Sequence, residues 1–252
     1  MKKALYVIVI LLLLTQSTFA LTRGDVKIIE ARENIQYLAQ KITTDYFLLY
    51  KRPNDLILQS KFKDNIKQLE KNINKIANTT QNTITMNILN FYRYRLEYIQ
   101  QLPLENPQKK HARLLLDASK YFLEGARSIS EQHRYQFSKE ESMLIHCKEL
   151  KYLIESTSKY YMAFQIGLKN RVHHIEMYKI IQEINNNLQL ISKYNYPHRL
   201  RKKLTKIQNI WEYNQTFFTN LEESSFPNLL LTSNTYIKTL LIELANHHKQ
   251  NL

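Results

Sequence analysis

Apolar residues recur along the chain at steps of three and four, the signature of helices with one buried face. From Val26 to Tyr50 the stripe is Ile35, Leu38, Ile42, Tyr46 and Leu49. Pro53 interrupts it, and Asn54 or Asp55 can cap the next helix, whose stripe is Leu58, Phe62, Ile66, Leu69, Ile73 and Ile76. The polar run Asn78-Thr79-Thr80-Gln81-Asn82-Thr83 ends that helix. A third pattern carries Ile84, Ile88, Phe91, Tyr98 and Leu102 and stops at Pro103 and Pro107. A fourth starts near Gln108 and carries Leu115, Ala118, Phe122, Ala126 and Ile129. Four amphipathic helices with short polar connections predict an antiparallel four-helix bundle.

The second half repeats the plan. Displaced by 115 residues, Ile35, Tyr37, Leu38, Tyr46 and Leu49 fall on Leu150, Tyr152, Leu153, Tyr161 and Phe164. Phe62, Ile66, Leu69, Ile73 and Ile76 fall on Met177, Ile181, Ile184, Leu188 and Ile191. A displacement of about 120 would place Phe91 on Trp211, and 115 again places Tyr121 on Tyr236. The expectation is an all-α fold of two tandem antiparallel four-helix bundles, residues 21–137 and 138–252. Ser138 and Glu141 form a Ser-x-x-Glu capping box at the join. With no Pro or Gly between Arg127 and Gln165, a continuous or gently kinked helix through the join is expected.

Composition supports helices and excludes much else. Three glycines in 252 residues is far below the usual share of about 7 %. Hairpin turns need Gly, Asn or Asp and phosphate loops need Gly outright, so a Gly-poor, Pro-poor composition argues against a β-sandwich, a barrel, a Rossmann fold and a P-loop.

Residues 1–20 look like a secretory leader: Lys2-Lys3, an apolar run Ala4 to Leu14, then Thr18-Phe19-Ala20 with a small residue at the cleavage point. A cleaved signal peptide places the mature chain in a periplasm or outside the cell; the alternative, a retained anchor, wants about 20 apolar residues. Removing Lys2 and Lys3 leaves 34 basic against 22 acidic residues, a formal charge of +12. Export removes nucleic acid as a partner, leaving a small anion, an anionic headgroup or an acidic envelope protein. Cys147 is the only cysteine, so no internal disulfide forms, and it reads as a small buried hydrophobe.

Chemistry is sparse. The pairs His173-His174 and His247-His248 lack the i, i+4 spacing of helical metal ligands and read as surface or cap residues, so no metal or cofactor is expected. In Phe91-Tyr92-Arg93-Tyr94-Arg95, Phe91 reads as core, with Tyr92 or Tyr94 partly exposed. Arg199, Arg201, Lys202, Lys203 and Lys206 form the densest basic cluster, a solvated face or a dock for phosphate headgroups or an acidic partner. No carboxylate pair or Ser/His/Asp grouping suggests catalysis, so an enzyme is not expected.

The segment Arg32-Glu33-Asn34-Ile35-Gln36-Tyr37-Leu38-Ala39-Gln40-Lys41-Ile42, followed by Asp45-Tyr46, resembles the first helix of the N-terminal sensor domain of type IV pilus methyl-accepting chemotaxis transducers. That module also occurs in nitrate/nitrite-sensing histidine kinases. The resemblance implies a four-helix sensor module, here in tandem, with a ligand held on the first helix. The position of the family's first anion-binding arginine is Gln36 here and Lys151 in the second half. Gln36 and Gln40 are an i, i+4 pair with Lys41 on the adjoining face. The candidate ligand residues are therefore Gln36, Gln40, Lys41 and Lys151, with a homodimer left open. The expected function is a periplasmic sensor-type protein that binds a small anion or a partner protein, linked to chemotaxis or type IV pilus-type signalling. The alternative is a structural or adaptor protein of the envelope.

Overall fold

A computed structural model describes residues 22–134, 136–219 and 227–252; the proposed leader lies outside them. The fold is all-α. Among the described residues there are eight helices and no strand: α1 Thr22–Lys51, α2 Leu56–Ala77, α3 Thr83–Gln100, α4 Lys109–Gln132, α5 Lys139–Gln165, α6 Arg171–Ser192, α7 His198–Thr219 and α8 Pro227–Gln250. No helix of the described residues is long and apolar enough to cross a membrane.

The helix ends follow local chemistry. Asp55 caps α2 by accepting from Leu58 N at 3.0 Å, and Asn82 caps α3 by accepting from Thr85 N at 2.9 Å. Gly167, at φ +75°, ends α5 in the left-handed conformation that glycine adopts most easily. The Leu168 amide then reaches back to the Ala163 carbonyl at 2.8 Å. The Ser138 capping box is formed, with Glu141 N donating to Ser138 Oγ at 3.1 Å and Ser138 N to Glu141 Oε2 at 2.8 Å. The continuous helix expected through the join is corrected. α4 stops at Gln132, and the capping box opens a new helix at Lys139. A cap can thus end one helix and start another without Pro or Gly.

Each run of four helices closes a ring of neighbours: α1 packs on α2 and α4, α3 bridges α2 and α4, and α5–α8 repeat this arrangement. α1 and α5 also pack on each other, so they form the central pair of the whole molecule. One connected hydrophobic core takes residues from all eight helices. The 115-residue offset is visible in the elements themselves. α6 begins and ends 115 residues after α2, and α7 begins 115 residues after α3.

Equivalent contacts recur as well. His133 Nδ1 pairs with Asp25 Oδ1 at 3.0 Å, and His248 Nδ1, 115 positions on, pairs with Glu140 Oε2 at 2.7 Å. Each pair ties the start of a unit's first helix to the end of its last. Phe91 meets Tyr121 edge-on, and at the equivalent positions Lys206 lies over the Tyr236 ring at 5.0 Å.

The buried faces of α1, α2 and α4 match the expected stripes. α3 is rotated from expectation. Thr85, Leu89, Tyr92, Leu96 and Ile99 are buried, whereas Ile84, Phe91 and Tyr98 are exposed. The polar atoms on the true face are satisfied internally: Tyr92 Oη donates to the Phe122 carbonyl at 2.7 Å. With this face the offset of 115 holds through α7, and Trp211 is the counterpart of Leu96 rather than Phe91. α3 and α4 approach closely at Gly125, where an added Cβ would strike the Tyr92 hydroxyl and come within 2.8 Å of Ile88 Cγ2. Gly125→Ala is expected to cost about 1–3 kcal/mol by overpacking. Chemical denaturation checks this; unchanged stability would mean that α3 and α4 can separate freely.

Candidate functional site

A helix that packs on three neighbours cannot keep a polar face toward water. Between Ala31 and Tyr50 no residue of α1 is exposed, and every residue of α5 from Tyr152 to Phe164 is buried. Polar and charged side chains are therefore enclosed around the central pair: Arg32, Glu33, Gln36, Gln40, Asp45, Glu155 and Lys159. Buried charges are tolerated when paired and hydrogen-bonded. Most of these are paired, and the exceptions mark the places where chemistry is concentrated.

The largest network runs along α1, α5 and α8. Lys41 pairs with Asp45, which also accepts from Asn65 Nδ2 at 2.8 Å. Lys238 of α8 pairs with Glu155 of α5, and the Thr44 hydroxyl, which shares their cleft, donates to the Gln40 carbonyl at 3.0 Å. Tyr37 links this group to Lys151, whose ammonium lies 3.9 Å from the ring centroid, with Lys238 at 5.7 Å. Three lysines thus meet two carboxylates. Burial opposes ionisation of Glu155, but Lys238 and Lys41 outweigh it and lower its pKa. Burial likewise opposes the charge of Lys41, and Glu155 and Asp45 outweigh it and raise its pKa. For Lys151 the attraction of Glu155 is too weak to compensate. Burial first, then the charges of Lys238 and Lys148, bring its pKa down to about 8. Lys41, Asp45, Glu155 and Lys238 open to solvent in a cleft of about 640 Å³ between α1, α2 and α8, lined also by Arg52, Asp55, Lys61, Thr232, Thr235 and Tyr236.

A second cleft, of about 540 Å³, lies between α4, α5 and α6. It occupies the equivalent place on the other side of the central pair. Ser156, Lys159, Tyr160 and Glu176 line it where Lys41, Thr44, Asp45 and Lys61 line the first. Lys159 is wholly buried and donates to Ser119 Oγ at 3.1 Å, with no carboxylate paired to it. Burial, reinforced by Lys120, brings its pKa down to about 7. Because the unfolded chain holds that proton up to about pH 10.4, folding is penalised below pH 7 and the penalty fades as pH rises from 7 toward 10.4. Lys159→Met is expected to stabilise the protein at neutral and lower pH, with the gain vanishing at high pH. Denaturation midpoints at several pH values would read this, and a destabilised variant at pH 6 would contradict it.

The four candidate ligand residues separate. Lys41 and Lys151 join the charge network, whereas Gln36 and Gln40 are buried in the helix packing and not on an open face. Gln40 is wholly buried with neither amide atom partnered, and Gln36 Oε1 is also unpartnered. Nearby, burial pushes the Glu33 carboxyl up to about 7 even against the Arg32 guanidinium bound to it. Of the basic cluster on α7, Arg199, Arg201, Lys202 and Lys206 are exposed, with Arg201 held by Asn195 Oδ1 at 2.7 Å, and Lys203 pairs with Glu243.

Two histidine assignments are corrected. His248 is fully enclosed between Glu140 and the Tyr196 hydroxyl, and His173 is buried with Nδ1 2.9 Å from the Leu168 carbonyl. Tyr196 and Glu140 satisfy both ring nitrogens of His248, which lets it replace an apolar residue in the packing. Cys147 is buried, and burial pushes its thiol up to about 12. Among the described residues no group of His, Cys, Asp or Glu is arranged to hold a metal ion.

The charge network was missed at the sequence level. Glu155 and Lys238 are 83 residues apart and carry no spacing signal. The usable hint is the hydroxyl-rich run Ser156-Thr157-Ser158 inside α5, which breaks the one-sided stripe of an amphipathic helix. No family model matches the chain, and neither curated proteins nor solved structures give a significant match.

Proposed function

We propose that this chain is an exported, periplasmic sensor-type protein that binds a small oxyanion at the first cleft and conveys the bound state through the packing of α1 against α5. The observation that carries the reading is the excess of cations lining that cleft: Lys41, Arg52, Lys61 and Lys238 against Asp45, Asp55 and Glu155. A bound anion supplies the missing negative charge, and the threonines and Tyr236 of the cleft offer hydrogen bonds to its oxygens. The same feature accepts an acidic side chain of a partner protein. Packed helices with two arrangements are a known means of transmitting such an event. The resemblance of the first helix to pilus-type chemotaxis transducers supports this direction as an analogy of class. On that analogy, the partner is a component of chemotaxis or type IV pilus-type signalling.

Calorimetric titration of the exported protein with phosphate, nitrate and acetate tests the reading. Binding of at least one is expected, weakened about tenfold by Lys41→Met, a change of 1.4 kcal/mol. The paired substitution Glu155→Gln with Lys238→Met removes both charges of the buried pair together and should also weaken it. If no anion binds the unmodified protein, the envelope adaptor becomes the better reading.

A further inference from the structure

Lys151 does not line the first cleft. It is half-buried, and its ammonium rests on the Tyr37 ring, 3.9 Å from the centroid, rather than on a carboxylate. Its close neighbours are cations already held by other groups. Lys238 lies over the same ring at 5.7 Å and pairs with Glu155, and Lys148, one turn earlier on α5, pairs with Glu30 at 3.1 Å. Burial, then Lys238 and Lys148, oppose the charge of Lys151 more than Glu155 favours it, which brings its pKa down to about 8. At about pH 7.5 roughly a quarter of it is then free amine, against roughly 0.1 % for a lysine at the ordinary value. Lys151 also borders a small cavity of about 110 Å³ between α1, α5 and α8, lined by Glu33, Asn34, Tyr37, Cys147 and Lys148, with the exposed Ile242 and Asn246 on its solvent side. An amine with lowered basicity, facing a cavity that admits only a small molecule, is an activated nucleophile.

We propose that Lys151 is a carbamylation site, where its amine takes up carbon dioxide reversibly within the cavity between α1, α5 and α8. The ammonium first releases a proton. The amine lone pair then attacks the carbon of carbon dioxide, a C–N bond forms, and one C=O π pair moves onto oxygen. A second proton leaves the nitrogen to solvent, so a cation becomes a carbamate anion.

The surroundings select an anionic product. The charges of Lys238 and Lys148, which repel an ammonium at this place, attract a carbamate. An aldehyde would end as a protonated imine, a cation that meets the same repulsion. The nearby carboxylates are each balanced, Glu155 by Lys238 and Glu33 by Arg32, and burial pushes the Glu33 carboxyl up to about 7. Burial also pushes the Cys147 thiol up to about 12 and raises the Tyr37 phenol, so neither competes as a nucleophile. The modification reverses the charge at the junction of the central pair with α8, and it stands apart from anion binding in the first cleft.

The experiment equilibrates the exported protein with carbon-13-labelled carbon dioxide at about pH 7.5, follows the carbamate carbon by NMR, and locates it by trapping with triethyloxonium and peptide mass spectrometry. The trapped carboxyl is expected on Lys151 at no less than about ten times its occupancy on the exposed Lys202. It should rise with pH from about 6 to about 8 at fixed carbon dioxide pressure and disappear on degassing. Lys151→Arg keeps the positive charge and should abolish the signal at that peptide. Lys148→Gln removes one of the two attracting cations and should lower the occupancy of Lys151 several-fold; thermal transitions of both variants are recorded alongside. No trapped carboxyl on Lys151, an occupancy no higher than on Lys202, or an occupancy unchanged in Lys148→Gln overturns the proposal.

Discussion

Lys238→Ala is expected to destabilise the protein by about 3–5 kcal/mol, among the largest effects of any single substitution in it. The reason is asymmetric. Lys238 and Glu155 are both almost fully enclosed, at 9 % and 1 % side-chain exposure, so removing the ammonium leaves a carboxylate with its principal counter-ion gone. Lys41 also acts on Glu155 but is paired directly with Asp45. Glu155 then either stays ionised at high electrostatic cost or takes up a proton. Replacing both partners, as in Glu155→Gln with Lys238→Met, removes the problem along with the pair and should cost much less than Lys238→Ala alone. Urea denaturation of the three proteins decides. If the single and double variants are equally unstable, packing of the lysine stem, not charge, holds α8 to α5.

Leu69→Ala and Ile184→Ala are the second large pair, each expected to cost about 2–5 kcal/mol. They occupy equivalent positions in α2 and α6, and neither has any exposed surface. The cost comes from lost burial plus the cavity that a close-packed helix interface cannot refill. Because one connected core joins all eight helices, each substitution should lower a single shared unfolding transition. Two separate transitions, each responding to only one substitution, would mean that the two rings of helices unfold independently. Near-neutral results at both sites would mean that the buried faces of α2 and α6 are misassigned.

The helices with one wet face were legible in the sequence. On α2 every third or fourth residue from Leu58 to Ile76 is apolar, and all six stripe residues are buried. The offset of 115 then located the second set, because two helices packed in the same way need the same spacing. Legibility failed on α3, where Thr85 and Tyr92 face the core and Phe91 faces out. Hydrophobicity alone prefers the wrong stripe when a tyrosine hydroxyl finds a carbonyl inside, as Tyr92 does at Phe122. It failed again on α1 and α5. Their stripes were recognised, but the pairing of the two helices buries the opposite faces as well. Gln36, Gln40, Glu155 and Lys159 therefore look like solvent-facing residues in sequence and are enclosed in the fold.

For the candidate site the sequence singled out Lys41 and Lys151 without their partners. Tyr37 joins Lys151 to Lys238, and Lys238 pairs with Glu155, across three helices far apart in the chain. Such a network has no local pattern. Its members become recognisable only when burial removes the water that would otherwise neutralise them.

The central claim is that an anion held in the first cleft alters the packing of α1 on α5. Hydrogen exchange followed by mass spectrometry, with and without whichever of phosphate, nitrate or acetate binds, tests it most directly, because backbone amides report local opening along each helix. The account predicts slowed exchange in α1, α5 and α8 together, including segments of α1 beyond the cleft. Protection confined to the residues lining the cleft, or none with the anion bound, would contradict it.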